Sequence, residues 1–548
     1  MLARNWMMGT GTPGMSYDFI IVGSGFGGSV SALRLTEKGY RVLVIEKGRR
    51  FTPGDFAKNN RDLKNWMWNP ALGLRGIFEM SFLRHVTVLH GVGVGGGSLT
   101  YASTLPTPKD SFFDAPSWSK LADWKRELLP HYETAKHMLG AATNPRETPG
   151  DRVIREIAAE DGREHHHHPT DVAVYFGEAG KRCTDPFFGG EGPDRTGCTF
   201  CGACMTGCNV GAKNTLDHNY LYLAEQSGAE VLAEHEVVAL RPGDAGGYQL
   251  EIRSTFGKGP AETLEAPQVI LSGGVMGTVP LLLAMQERDD GLPLLSSRLG
   301  HLVRTNSEAL IGVIAPDHEE DFHEGVAITS ILHTDEHSHI EPVRYGSGSD
   351  FFRFLMGPHA PGRWAASRIA RSFASLFSNP RLWAKVYTMS RKRYSEKAQV
   401  LLYMRALEGT MSLELGRSIM TAYRRGLVSR VDDPANAPQA FMAEATALAN
   451  RFAQKVNGVV ASLCAETILG APSTAHILGG ACMGADPDEG VIDHRHQVFG
   501  YDGLYVIDGS AISANPGVNP ALTITALAER AMSFIPNKSE VAKDTVDR

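Results

Sequence analysis

The chain has 548 residues, 43% of them hydrophobic and 21% charged, an ordinary globular balance with room for two domains. Its formal net charge of −7 gives nucleic acid no electrostatic reason to bind, and no apolar run reaches the ~20 residues of a membrane span. Seven cysteines are too few for a disulfide scaffold, and four of them crowd into one stretch, which points to metal chemistry in a reducing, cytoplasmic compartment.

Residues 1–15 lack the apolar segment of a secretory signal and read as a disordered leader. From Tyr17 the chain spells a complete strand–turn–helix–strand unit. The apolar run Phe19 to Val22 reads as a buried strand. Gly23, Gly25 and Gly28 follow in GxGxxG spacing around Phe26, then a helical stretch from Ser29 to Lys38. A second apolar run, Val42 to Ile45, ends on Glu46. One glycine permits the tight turn, one lets the backbone approach a pyrophosphate, and one lets helix and strand pack closely. The helix N-terminus faces the phosphates, and Glu46 is placed to accept hydrogen bonds from an adenosine ribose. In this context the motif binds a dinucleotide.

Residues 51–75 are polar and aromatic and read as a surface excursion. Next, Gly91, Gly93, Gly95, Gly96 and Gly97, followed by Ser98, form a loop able to lay backbone N–H groups against an anionic or flat ligand. Residues 106–182 carry helical patterns, including Trp118 to Leu139. Within them His165 to His168, flanked by charges and Pro169, read as a solvated loop. A cysteine cluster over 198–208 precedes a helix, Leu216 to Gln226, and a strand around 230–240. The strand Gln268 to Leu271 runs into a glycine-bearing turn and an apolar helix. Over 300–465, alternating stretches such as Gln399 to Met404 and Thr410 to Leu415 suggest antiparallel strands. Gly503 to Arg530 is strand, turn and long helix. The fold class is therefore α/β: a Rossmann-like parallel-sheet domain assembled from 16–105, 183–300 and 466–540. Into it is inserted an α+β substrate domain built on an antiparallel sheet, from 106–182 and 301–465.

Cys198, Cys201, Cys204 and Cys208 run C-x2-C-x2-C-x3-C, the spacing of bacterial ferredoxin clusters. An iron–sulfur cluster (4Fe-4S, or 3Fe-4S with one cysteine spare) is the favoured ligand. Zinc also takes four thiolates, and unligated thiols are the third alternative. Residues 363–397 hold nine Lys or Arg against one acid, interleaved with Trp364, Ile369, Phe373, Leu376 and Phe377. Such a helix either lies on an anionic membrane surface or covers a pocket with its basic face in solvent.

The order of motifs resembles the glucose–methanol–choline family of FAD oxidoreductases, and within it the cholesterol oxidase branch. IIVGSGFGG near the start, GVGVGGGSL at 91–99, TAHILGGACMG at 474–484 and DGSAISANPGVNPALTITALAER at 508–530 carry the resemblance. It implies FAD as cofactor, with Gly93 to Ser98 at the pyrophosphate and flavin, Asp508 and Gly509 near the ribityl chain, and Val237 at the adenine. It makes His476 the active-site base, with Asn519 and Pro520 beside the flavin and Asn519 orienting the substrate oxygen. An imidazole that titrates near neutrality suits that work; a satisfied core histidine is the alternative. By position, Glu341 matches the glutamate with which steroid oxidases move a proton during double-bond isomerisation, unless it pairs with Arg344. The sequence departs from the steroid oxidases at Thr100, Tyr101 and Ala102, and those enzymes lack the cysteine run.

Together these readings describe FAD-dependent oxidation of a hydrophobic, sterol- or terpenoid-like secondary alcohol. Electrons pass through the cluster to an external protein or quinone. An O2-dependent oxidase with isomerase activity and a non-redox lyase of the same family are the alternatives. Peripheral membrane contact through 363–397 accompanies the reading.

Overall fold

The computed structural model describes residues 17–541 other than 245 and 258; the leader expected over 1–15 lies outside them. Strand Phe19–Val22 lies between Val42–Glu46 and Gln268–Leu271 in parallel register, with Ile20 opposite both Leu43 and Val269. Its continuous apolar sequence is what a central parallel strand, enclosed on both faces, requires. Glu230–Ala233 and Leu504–Val506 complete a five-stranded parallel sheet. Helix Phe26–Glu37 starts in the GxGxxG turn and packs against helices Tyr220–Gln226 and Ala521–Ser533. Glu529 ties the three together. It pairs with Arg34 at 2.8 Å and accepts from the Tyr220 hydroxyl at 2.6 Å.

A second sheet has seven antiparallel strands. Their order is Met356–Pro358, Val459–Leu463, Glu308–Ile314, Ala398–Arg405, Ser338–Val343, Ser330–His333 and His167–Pro169. The two-residue alternation sorts its faces. Ala309, Ile311, Val313, Ile340, Leu401 and Tyr403 form an apolar core with Ile154 and Phe452, from helices Pro149–Glu160 and Ala443–Lys455. The opposite face carries Glu308, Leu310, Glu341, Val343 and Leu402. The parallel sheet draws its strands from 16–105, 183–300 and 466–540, and the large antiparallel sheet from 106–182 and 301–465. This membership supports the proposed division into two domains.

Several local expectations are corrected. Residues 51–75 are not a surface excursion: Phe51, Phe56, Trp66 and Trp68 are buried, and Trp66 stacks on Phe78 with ring centres 4.5 Å apart. Rings of this size outweigh the polar residues between them, most of which turn outward while Asn60 is buried and accepts from the Phe351 N–H. The helix expected from Trp118 starts at Trp124, after Asp123 accepts from the Arg126 N–H. Trp118 instead stacks on Trp124 at 4.2 Å. The histidine run does not end in a loop, because His167–Pro169 pairs with Ser330–His333 as an edge strand. Thr410–Gly416 is a strand, but it belongs to a separate three-stranded sheet with Val303–Arg304 and Gly426–Arg430. Residues 363–397 form three helices, Ala365–Ser378, Pro380–Thr388 and Arg391–Lys397, interrupted at Pro380 and at the capping Ser390. Trp364, Phe373 and Phe377 are exposed. No helix among the described residues is long and apolar enough to cross a membrane.

Candidate active site

A cavity of about 700 Å³ lies between the carboxyl ends of the parallel strands and the inner face of the large antiparallel sheet, where open α/β sheets bind ligands. Gly23, Gly25, Glu46, Val237, Gly274 and Asp508 line one end; Leu310, Ile328, Phe352, Met356, Val400 and Leu402 line the other. The three motif glycines divide their work as expected. Gly23 turns the chain at φ +100°, and a Cβ there would sit 2.4 Å from Ser272 O; one at Gly28 would sit 2.1 Å from Gly23 O. Gly25 is different, since its Cβ would meet nothing closer than 3.8 Å. Gly97, whose nearest neighbour would be a Phe26 ring carbon at 3.7 Å, and Gly277, with nothing within 4 Å, also border open cavity. This is a cradle for a ligand that lies against bare backbone, as the pyrophosphate of a dinucleotide does.

Other expected cofactor residues fall into two groups. Phe26, Gly96, Gly509, Asn519 and Pro520 line the cavity, as do Thr100, Tyr101 and Ala102. Gly93, Gly95 and Ser98 do not. They shape the loop from behind: Gly95 N–H donates to Ser24 Oγ at 3.1 Å, Ser98 Oγ donates to Gly95 O at 2.7 Å, and Leu216 N–H donates to Ser98 Oγ at 3.0 Å. Two acids are also partly committed. Glu46 accepts from Ser24 N–H and Oγ and from Gly48 N–H, at 2.8 to 3.1 Å, and it retains further lone pairs toward the cavity. Asp508 accepts from Ser510 N–H and Oγ, Gly274 N–H and Thr278 Oγ1. Burial raises its carboxyl against those bonds. Asp508 therefore holds Gly274 and Gly509 at the cavity wall.

His476 stands where the glycine-lined and apolar ends meet. Its Nδ1 lies 2.5 Å from Glu308 Oε2, and Ala475 N–H donates to Glu308 Oε1 at 2.6 Å. The Glu308 side chain is fully buried. Burial alone would pull the imidazole down. The charge and hydrogen bond of Glu308, with the charge of Glu341, reverse this and raise it above the ordinary 6.5. The occupied Nδ1 leaves Nε2 for the cavity. Asn519 lines the same space and is buried, with Oδ1 lacking any partner in the protein. Asn306 and Ser307 take left-handed φ angles of 58° and 44° just before Glu308, and Asn306 Nδ2 donates to Val518 O at 2.9 Å. This strained turn links the Glu308 strand to the turn bearing Asn519.

Glu308 was missing from the sequence reading. Its one signal is an acid at the head of Ala309–Ile314, a run that otherwise reads as core. Glu341 is placed on the cavity-facing side of the sheet, but it is not among the residues lining the cavity. It is fully buried, and neither oxygen has a hydrogen-bond partner. The anticipated alternative, an ion pair with Arg344, is corrected: that guanidinium binds Thr148 Oγ1, Thr329 Oγ1 and Val326 O.

The cysteine run lies next to this site. Cys198, Cys201, Cys204 and Cys208 all border one small void together with Lys213 and Gly325. No three of them bring their sulfurs within 4.8 Å of one another among the described residues. Lys213 Nζ donates to Cys204 O at 2.8 Å and to Leu99 O at 3.0 Å, joining the cysteine loop to the glycine loop. Met205, next in sequence to Cys204, lines the main cavity.

Comparison with known proteins fits this geometry. Profiles described as GMC oxidoreductase match residues 191–285 and 417–528, and one described as an NAD(P)-binding Rossmann-like domain matches 21–78. A cholesterol oxidase of Mycobacterium tuberculosis (strain ATCC 25618 / H37Rv) is 44% identical over 554 residues, 96% of this chain and 92% of the relative. A cholesterol oxidase of Acinetobacter baumannii is 41% identical, covering 95% of each chain. Among solved structures, pyridoxine 4-oxidase from Mesorbium loti superposes with a TM-score of 0.60 at 16% identity, covering 94% of this chain and 99% of that one. With relatives this similar over nearly its whole length, the chain belongs to the GMC oxidoreductase family, FAD-dependent enzymes that act on CH–OH groups.

Proposed function

We propose that the protein oxidises a hydrophobic secondary alcohol of sterol or terpenoid type to its ketone, with FAD in the glycine-lined end of the cavity. The observation that carries this reading is the His476–Glu308 pair at the junction of a bare-backbone cradle and an apolar chamber. Gly25, Gly97 and Gly277 give the cofactor backbone to lie on, and Glu46 and Val237 flank its nucleotide end. Bound there, FAD supplies the acceptor for the hydrogen on the carbinol carbon. Leu310, Val400 and Leu402 exclude water and receive the alcohol's apolar body. His476 Nε2 takes the hydroxyl proton while Glu308 fixes the ring and stabilises the imidazolium. The Asn519 side-chain amide orients the hydroxyl oxygen by donating to it. Glu341, buried without a partner, moves the proton in a double-bond isomerisation of a 5-ene substrate. The relatives named cholesterol oxidase support the sterol class.

An iron–sulfur cluster held by Cys198, Cys201, Cys204 and Cys208 would supply a one-electron exit to an external protein or quinone; the void shared by the four thiols supports it. Direct reduction of O2 is the second reading, favoured by the relatives' name of oxidase. All seven cysteines are unpaired, which supports the cytoplasmic placement. Exposed Trp364, Phe373 and Phe377 on a basic segment support peripheral contact with an anionic membrane. The deciding experiment is the anaerobic absorption spectrum of purified protein before and after a 3β-hydroxy-5-ene steroid is added. Bleaching of a flavin band is the expected result. A flavin band unchanged by any hydrophobic secondary alcohol rejects the reading.

A further inference from the structure

Register places three histidines and an acid on one face of the large antiparallel sheet. His168 lies opposite Ile331, two residues before His333; His333 lies opposite His339; Glu341 follows two residues later. Residues two apart share a face. The rings are neighbours in that order, with centres 5.4 Å apart for His168 and His333 and 5.9 Å for His333 and His339. His339 Nε2 then lies 3.5 Å from Glu341 Oε1. Burial is graded along the row, from exposed His168 through half-buried His333 to enclosed His339 and Glu341. At the inner end the charge of Glu341 acts on His476.

Polar atoms along this row are buried and lack partners: His333 Nδ1, His339 Nε2 and both oxygens of Glu341. Buried polar groups are ordinarily satisfied, so a row of exceptions calls for an explanation. A packing role would be served by aliphatic residues, which this sheet already accepts at Ile331, Leu332 and Ile340. Alcohol oxidation supplies an explanation. The hydrogen on carbon leaves with its electron pair for the flavin, and the O–H bond breaks to release one proton per turnover into a closed cavity.

We propose that Glu341, His339, His333 and His168 form a proton wire between the active-site cavity and solvent. The proposal rests on the alcohol-oxidising reading for its purpose, but not for its test. The proton passes from His476 Nε2 to Glu341, then along the three imidazoles, each accepting at one nitrogen and releasing from the other. His339 Nε2 and Glu341 Oε1 are 3.5 Å apart, and the neighbouring rings, 5.4 and 5.9 Å between centres, are adjacent. Burial, with His339, Lys109, His168 and His166 around it, pulls His333 down to about 3, so it rests neutral, as a transit group must. Lys109 itself donates to Asp335 O and Glu336 O.

The test reduces the FAD holoenzyme with reduced methyl viologen in weak buffer and needs no alcohol. The donor delivers electrons without protons, so reduction of flavin to its anionic hydroquinone draws one proton inward along the same path. Stopped flow follows flavin absorbance and a pH-indicator dye together. In the wild type, proton uptake should keep pace with reduction. In His333→Phe, uptake should lag at least about tenfold and be restored by added imidazole. His333→Gln, which keeps a polar group at this half-buried position, should lag as well, while His165→Ala should not. Uptake that keeps pace in both His333 variants overturns the wire. Flavin that no alcohol reduces, in a protein where the His333 lag is present, rejects the proposed function and leaves the wire standing.

Discussion

Glu308→Gln isolates the charge that governs the base. The pair is tight, 2.5 Å between Nδ1 and Oε2, with the Glu308 side chain fully buried. Breaking a buried ion pair typically costs about 3–5 kcal/mol. Glutamine keeps the volume and an acceptor oxygen, so we assign about 2–3 kcal/mol to the lost charge. At 1.36 kcal/mol per decade, flavin reduction should slow roughly 30- to 150-fold. The pH dependence carries a second signature. The reaction needs neutral Nε2, so the wild-type rate rises as pH rises through the raised His476 value. Without Glu308 that inflection should move to lower pH while the plateau falls. The stability effect has its own sign. A histidine raised above 6.5 in the folded state stabilises fully below that ordinary value and loses the contribution as pH rises through the folded one. The variant's deficit in Tm should therefore be greater at acid pH than at alkaline pH. Anaerobic stopped-flow reduction across pH, with thermal melts in the same buffers, measures all three. A variant with the wild-type plateau and inflection would refute the assignment of Glu308.

Glu341→Gln should still reduce its flavin with a 3β-hydroxy-5-ene steroid but release the unconjugated ketone, detected by the missing enone absorbance; a conjugated product at the wild-type rate contradicts the role. Gly97→Val should fold, because its Cβ meets only ordinary contact at 3.7 Å, yet lose bound flavin at least about tenfold, whereas retained flavin would mean the cofactor lies elsewhere. Cys204→Ser should leave flavin reduction by alcohol largely intact and slow transfer to one-electron acceptors. Metal analysis of anaerobically prepared wild type should find three or four irons per chain for a cluster of either type, and stoichiometric zinc or no metal would remove the relay.

What the sequence determined by itself are features whose parts are neighbours along the chain. The GxGxxG turn from Gly23 to Gly28, the acid Glu46 ending the second strand and the cysteine spacing from Cys198 to Cys208 are local. A turn, a helix start or a ligand loop is built from the residues it contains, so composition and spacing suffice to read them. His476 and Asn519 entered through the family resemblance that their short motifs carry, not through composition or spacing. Only the tertiary structure could decide the partnerships. Glu308 meets His476 across 168 residues because the strand Glu308–Ile314 begins beside the loop bearing His476, and no pattern along the chain encodes that meeting. The aromatic residues of 51–75 read as surface until Phe78 gave Trp66 a face to stack on. Arg344 stood near Glu341 in sequence, but it lies just past the end of the strand and its guanidinium is taken up by Thr148, Thr329 and Val326, and the acid was left to His339. Side-chain chemistry is written residue by residue, whereas which groups share a buried volume is settled by sheet register and by how the sheets pack together.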